Sequence, residues 1–160
     1  MSWQIRKALR EDGPTILRFI RELARYEELE HKVEGTLAHV QETLFSPNAK
    51  AEALILEVSG EAAGFALFFH NYSTFLCRHG LYIEDIFVAE PFRGKGYGKA
   101  FFHHICALAK ERNCGRVEWW CLDNNKSAVD FYLKLGAEPM VDWTVYRLNK
   151  AQITQMTTSL

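Results

Sequence analysis

Three glycines at alternate positions, Gly94, Gly96 and Gly98, stand between an apolar stretch and a helix-forming one. In the loop Pro91-Phe92-Arg93-Gly94-Lys95-Gly96-Tyr97-Gly98 the backbone can approach a ligand with no Cβ in the way. The helix predicted from about Lys99 aims its first N–H groups, and the positive end of its dipole, into that loop. The chemistry this suits is the holding of an anion, a phosphate or pyrophosphate above all. Spacing excludes two common phosphate loops. A P-loop that ended in Gly98-Lys99 would need glycine where Arg93 stands and a hydroxyl residue where Ala100 stands. A dinucleotide fingerprint that began at Gly94 would need its third glycine at Lys99.

A second candidate lies just upstream. Leu81-Tyr82-Ile83-Glu84-Asp85-Ile86-Phe87-Val88 reads as a short strand inside a sheet, yet it carries two adjacent carboxylates. Burying an unpaired carboxylate is costly, so such a pair points to a cationic partner. In a regular strand Glu84 and Asp85 face opposite ways, and only a bulge brings them to one side.

These residues need a scaffold, and 160 residues with 48% hydrophobic composition supply one globular domain over residues 1–160 with a sizeable core. A formal net charge of -1, with both signs interspersed, lacks the basic field that dominates non-specific nucleic-acid binding, so nucleic acid is not an expected partner. The longest apolar runs are strand-length and the chain opens without a signal-type apolar core, so a soluble, cytoplasmic protein with no membrane partner is expected. Cys77, Cys106, Cys114 and Cys121 form no Cys-x-x-Cys pair, and adjacent His103 and His104 point to different parts of a helix surface. Neither a metal site nor a disulfide framework is expected.

Along the chain, Ile5 flanked by Trp3 and Lys7 predicts a first strand. Pro14 opens a helix whose Ile16, Leu17, Ile20, Leu23 and Ala24 share one face and which closes at Tyr26-Glu27. Thr36 caps a second helix through Leu37, Val40 and Leu44. Ala53–Val58 and Ala63–His70, joined through Ser59-Gly60-Glu61, predict an antiparallel hairpin, with a polar loop from Asn71 to Gly80 before the central strand. After the central helix, Arg116 to Leu122 predicts a strand buried on both sides. Asp123-Asn124-Asn125 caps a helix that Gly136 stops, and Trp143 to Leu148 predicts a last strand before a polar tail. The fold class is therefore α/β (α+β), a mixed central sheet with helices on both faces, in the order β-α-α-β-β-β-α-β-α-β.

The pattern Arg-x-x-Gly-x-Gly at Arg93, Gly96 and Gly98 resembles the pyrophosphate loop of the GNAT superfamily of acyl-CoA-dependent N-acetyltransferases. Four further phrases narrow the resemblance: Arg21 to Glu27, Tyr82 to Val88, Phe131-Tyr132-Leu133-Lys134-Leu135-Gly136-Ala137, and Trp143. Together, in this order, they are similar to the spermidine/spermine and thialysine acetyltransferase group. The resemblance implies acetyl-CoA as cosubstrate, no metal, and attack of a primary amine on the thioester. A free amine with a reference pKa of about 10 is almost wholly protonated at neutral pH, so a base must sit near.

By resemblance Glu84 is that base, directly or through water, and Asp85 holds the ammonium group, with Tyr26, Glu27 and Trp143 as further substrate contacts. Tyr132 matches the group's general acid for the leaving thiolate. Backbone N–H groups at Phe87 and Val88 would polarise the thioester carbonyl. Arg93, Gly94, Lys95, Gly96, Tyr97 and Gly98 would wrap the pyrophosphate, and Asn125 would meet the pantetheine arm.

Departures bear on the substrate. Tyr72-Ser73-Thr74-Phe75-Leu76 is neutral where polyamine members carry an acidic residue and a tryptophan, Val141 or Asp142 stands for an acidic residue before Trp143, and Asn124 replaces a common tryptophan. A small lysine-like or diamine acceptor of the thialysine type is therefore expected rather than spermine. Members of the group look like homodimers, often with exchanged C-terminal elements, and the same is expected here. The alternatives are a protein N-terminal or lysine acetyltransferase and a non-catalytic acyl-CoA-binding sensor.

Overall fold

In the computed structural model, which describes residues 2–158, the sheet is built from a chain of hairpins and one crossover. Five strands lie in sequence order: β1 (Trp3–Lys7), β2 (Glu52–Val58), β3 (Glu61–Ser73), β4 (Arg78–Val88) and β5 (Val117–Trp119). The first four pair antiparallel, and β5 joins β4 in parallel through a crossover helix, so the sheet is mixed. The helices are α1 (Gly13–Tyr26), α2 (Leu37–Phe45), α3 (Tyr97–Glu111), α4 (Lys126–Lys134) and α5 (Lys150–Thr158).

Register assigns each apolar residue to a face. Ile55, Phe65 and Phe87 stand side by side on β2, β3 and β4. Against them α1 lays the fully buried Phe19, stacked on Phe65 at 5.9 Å and tilted to Phe87 at 5.8 Å. Ile16, Leu17 and, from α2, Val40 complete this core. Thr36 starts α2 by accepting from the His39 N–H at 3.2 Å, the cap expected of it. The opposite face carries Leu54, Ala66, Phe68 and Ile83, all buried. There α3 packs, with buried Phe101 and Ile105 and with Phe102 edge-on to Trp119 at 4.8 Å. Arg112 at the end of α3 forks onto both carboxylate oxygens of Glu52, at 2.6 and 2.9 Å.

Three expectations are corrected. The β3–β4 hairpin is longer than its apolar pattern: Asn71, Tyr72 and Ser73 pair with Gly80, His79 and Arg78, leaving Thr74 to Cys77 as the turn. The rings of His70, Tyr72 and His79 meet edge-on across the strands, so cross-strand contact sustains pairing where apolar alternation has stopped. The strand expected over Arg116 to Leu122 is only Val117–Trp119 and is half-buried. Residues 143–148, expected as the last strand, form no strand, because a strand needs a backbone ladder and alternation of side chains alone does not supply one.

The chain resolves into two compact units, Met1–Trp120 and Cys121–Leu160. The first holds the whole sheet, α1, α2 and α3. In the second, Asn125 accepts from the Ala128 N–H at 3.2 Å to start α4, and Gly136 ends it with φ +87°. No described side chain of the second unit is buried.

Candidate active site

The crossover from β4 to α3 is where the first unit brings its functional candidates together. At Gly94 and Gly96 the backbone turns left-handed, φ +75° and +85°, which only glycine adopts without strain. A Cβ at either position would meet no protein atom within 4 Å, so the loop faces open space. Helix α3 starts at Tyr97, two residues earlier than expected, with Gly96 as its N-cap and no side chain capping it. Its first-turn N–H groups are left to an outside acceptor, which fits a bound pyrophosphate. Gly98 lies inside this first turn.

Two side chains of the loop are turned back on the protein. Lys95 donates from Nζ to the Pro91 carbonyl at 3.1 Å, and Arg93 donates from Nε to the Val88 carbonyl at 2.9 Å. Both side chains are thus engaged within the protein, which leaves the main chain of the loop to meet a ligand.

Beside the loop, β4 changes character halfway along. Leu81, Tyr82 and Ile83 pair with Val117, Glu118 and Trp119, and the ladder to β5 ends there. On the other side β4 stays paired with β3 to its end. The Ala89 N–H bonds the Ala63 carbonyl at 2.9 Å, and by antiparallel alternation Phe87 and Phe65 form the next bonded pair. The Phe87 amide is thereby committed to β3. The N–H groups of Ile86 and Val88 point the other way, along the edge that β5 leaves unpaired in the sheet. Of the two amides expected to polarise a carbonyl, that of Phe87 is turned toward β3 and that of Val88 toward the unpaired edge.

The carboxylates owe their placement to a register shift. Leu67 stands opposite Asp85 while Phe68 stands opposite Ile83, so Glu84 is an extra residue, a β-bulge. Alternation restarts across it. Counted from Tyr82, opposite Phe69, Glu84 falls on the face covered by α1; counted back from Phe87, Asp85 falls on that same face. The bulge thus gathers two adjacent carboxylates on one side. Glu84 is exposed and Asp85 is half-buried. Burial, reinforced by the charges of Glu84 and Glu27, pushes the Asp85 carboxyl up to about 7. Glu27, just past the end of α1, is also raised by burial. Tyr26 beside it lies under the Arg93 guanidinium, 4.7 Å from Cζ to the ring centre.

Sequence reasoning missed Tyr82 and Glu118. They pair across β4 and β5 on the carboxylate face, and the Tyr82 ring meets Trp120 edge-on at 5.7 Å. The Tyr82 hydroxyl is raised well above its ordinary range by burial, then by Glu84, Glu118 and Asp85. Glu118 is held through one oxygen by Asn71 at 2.8 Å and Arg116 at 2.9 Å. The signal was present in the spacing, since Tyr82 precedes Glu84 by two residues on a strand.

The first unit therefore unites Tyr26, Glu27, Glu84, Asp85, Phe87, Val88 and residues 93–98. Asn125, Tyr132 and Trp143 belong to the second unit. There Tyr132 is half-buried on α4 with its ring 5.6 Å from that of Phe131, Asn125 is the α4 cap, and Trp143 is 76% exposed. Among the described residues no group of three or more His, Cys, Asp or Glu side chains is arranged to hold a metal ion.

Comparison with known proteins bears on this geometry. The sequence pattern of the acetyltransferase (GNAT) family matches residues 16–137. The thialysine N-epsilon-acetyltransferase of Mus musculus is 32% identical over 157 residues, covering 91% of this chain and 92% of that protein. The L-ornithine N5-acetyltransferase of Arabidopsis thaliana is 38% identical over 118 residues, 74% of this chain, and the match spans only about half, 49%, of that protein's length. Among solved structures, an integron cassette protein from the mobile metagenome of V. cholerae superposes with a TM-score of 0.85 at 22% identity, covering 99% of both chains.

Proposed function

Because the chain belongs to the acetyltransferase (GNAT) family of N-acetyltransferase enzymes, we propose that it moves an acetyl group from acetyl-CoA to the primary amine of a small lysine-like or diamine substrate, with a thialysine-type acceptor favoured over spermine. The observation that carries this reading is the bulge at Glu84. It sets Glu84 and Asp85 together on the face that α1 closes with Tyr26 and Glu27, beside a strand edge with a free amide at Val88. Carboxylates beside an aromatic ring suit a small cation, and relatives named for thialysine and ornithine acetylation support that acceptor class.

Acetyl-CoA, when bound, supplies a thioester carbon open to attack. The chain's own residues do the rest. Asp85 and Glu27 draw the ammonium group in, and Glu84, exposed at the bulge, takes its proton directly or through water. The Val88 N–H faces the acyl oxygen as charge develops on it. Gly94, Gly96, Gly98 and the start of α3 hold the pyrophosphate, joined by the main chain of Arg93, Lys95 and Tyr97. Tyr132 returns a proton to the leaving thiolate, Asn125 meets the pantetheine arm, and Trp143 bounds the amine, on the strength of the resemblance.

We also propose a homodimer. Val141, Trp143 and Tyr146 are 82%, 76% and 91% exposed in a unit with no buried side chain among its described residues, and so much uncovered apolar surface suits a second copy. The cysteines at 77, 106, 114 and 121 are thiols, as a reducing cytoplasm would keep them. Purified protein, assayed for thiol release from acetyl-CoA with thialysine, lysine, ornithine, putrescine, spermidine and spermine, should turn over one of the small amines fastest. Spermine outpacing all of them would overturn the acceptor class. A monomeric mass in solution would overturn the dimer.

A further inference from the structure

We propose that Arg93 is a positioning residue that clamps the amine side of the site to the acyl side, and that its side chain is not a pyrophosphate ligand. Among the described residues its guanidinium contacts Val88, Tyr26 and Phe87, all outside the glycine loop. Nε donates to the Val88 carbonyl at 2.9 Å, and Cζ lies 4.7 Å from the Tyr26 ring centre and 5.5 Å from that of Phe87. No carboxylate pairs with it among the described residues.

The three partners come from the places whose relative position decides the reaction. Tyr26 is the last residue of α1, next to Glu27 on the amine side. Phe87 is the core residue two positions after Asp85. The Val88 carbonyl lies on the unpaired edge, on the same residue whose N–H faces the acyl oxygen. Without β5 beside it, that edge has no ladder partner for the Val88 carbonyl. The Arg93 donor supplies one of the missing bonds, and the cation over two ring faces holds the end of α1 at a set height above the strand. A planar guanidinium can donate in its plane and stack through its faces at once, which an ammonium cannot.

This inference rests on the acetyl-transfer reading, and its test separates the two. Arg93→Met keeps the stem and removes the donor and the charge. It is assayed with acetyl-CoA and with S-acetyl-pantetheine, which carries the thioester but no pyrophosphate. The expectation is about a tenfold loss of kcat and a raised amine KM with both donors, the scale of one hydrogen bond to a charged group, while calorimetric affinity for acetyl-CoA stays within twofold of wild type. Arg93→Lys should not restore activity.

A defect confined to acetyl-CoA, with weakened acetyl-CoA binding, would make the side chain a phosphate ligand and overturn the proposal. So would full activity with both donors. A second measurement does not need turnover: in urea unfolding, Arg93→Met and Tyr26→Ala should be coupled, each losing its effect in the other's background, and strict additivity would overturn the clamp. If wild type releases no thiol with either donor, the acetyl-transfer reading falls, and the unfolding cycle judges the clamp alone.

Discussion

From Leu81 to Ile83 β4 has a strand on each side; from Glu84 to Val88 it has one. In the first stretch every amide is spent on the sheet: the Leu81 N–H, for example, bonds the Arg116 carbonyl at 3.0 Å. In the second stretch the same edge is released, and a bulge has turned two carboxylates onto one face. The first half, which carries no charge, is built for holding, and the second, which carries Glu84 and Asp85, for binding. What separates them is the end of β5 after three residues, together with one extra residue at Glu84.

Proline tests this difference most directly, because it removes one N–H and tolerates extended backbone before it. At Val88 the lost amide has no ladder partner, so Val88→Pro should fold, with a melting temperature near that of wild type. Its turnover should fall by about a hundred- to a thousandfold, the scale of a lost oxyanion donor. Leu81→Pro removes an amide from the same edge where it is paired, and deletes a fully buried side chain as well. It should fail to give a folded protein. If both variants fold equally well, or both unfold, the two halves of β4 do not differ as described.

Asp85 offers a smaller effect with a definite sign. Its carboxyl titrates near 7 in the folded chain, against about 3.9 unfolded. Between those values the folded state keeps a proton that the unfolded state has lost. Stability contributed by this group therefore falls as pH rises through that window. Asp85→Asn should melt higher than wild type at pH 8, with the gap closing toward pH 4. The same variant should lose about ten- to a hundredfold in kcat/KM for the amine, because the buried charge that attracts the ammonium is gone. In wild type the amine KM should rise below pH 7 as Asp85 takes up its proton. A melting difference that is flat with pH would mean Asp85 is not the buried, raised carboxyl.

That pair of carboxylates also marks how far the amino-acid sequence alone reaches. The residue types at Glu84 and Asp85, the glycines of the loop and the cap at Thr36 are local facts, carried by side-chain chemistry and backbone freedom within a few residues. The bulge is not local. It exists only as an offset between Leu67–Phe68 and Ile83–Asp85, two segments far apart in the chain, and nothing in either segment by itself fixes that offset. The same holds for the extension of the hairpin through His70, Tyr72 and His79, which depends on rings meeting across strands, and for the folding back of Arg93 onto Tyr26 and Val88. Residues 143–148 show the converse. They have a strand's alternation, but pairing is a property of two segments, and no strand forms there.

The glycine loop gives the smallest effect and a last way to sharpen the contrast between holding and binding. Gly64 and Gly96 are both required, for different reasons. A Cβ on Gly64 would come within 2.4 Å of the Phe87 carbonyl oxygen in the paired β3–β4 ladder, so Gly64→Ala should lower the melting temperature clearly. A Cβ on Gly96 would meet nothing within 4 Å, but φ there is +85°. The cost of Gly96→Ala is therefore conformational, about 1 kcal/mol for a left-handed non-glycine residue. The fold can shed that strain by turning the loop, because no ladder fixes it. Turning the loop re-aims the first N–H groups of α3, so the loss should move from stability to acetyl-CoA affinity, about fivefold weaker by calorimetry with the melting temperature nearly unchanged. Should Gly96→Ala instead lower stability and leave affinity intact, the loop is held by the protein as firmly as the ladder, and the start of α3 is not where the anion binds.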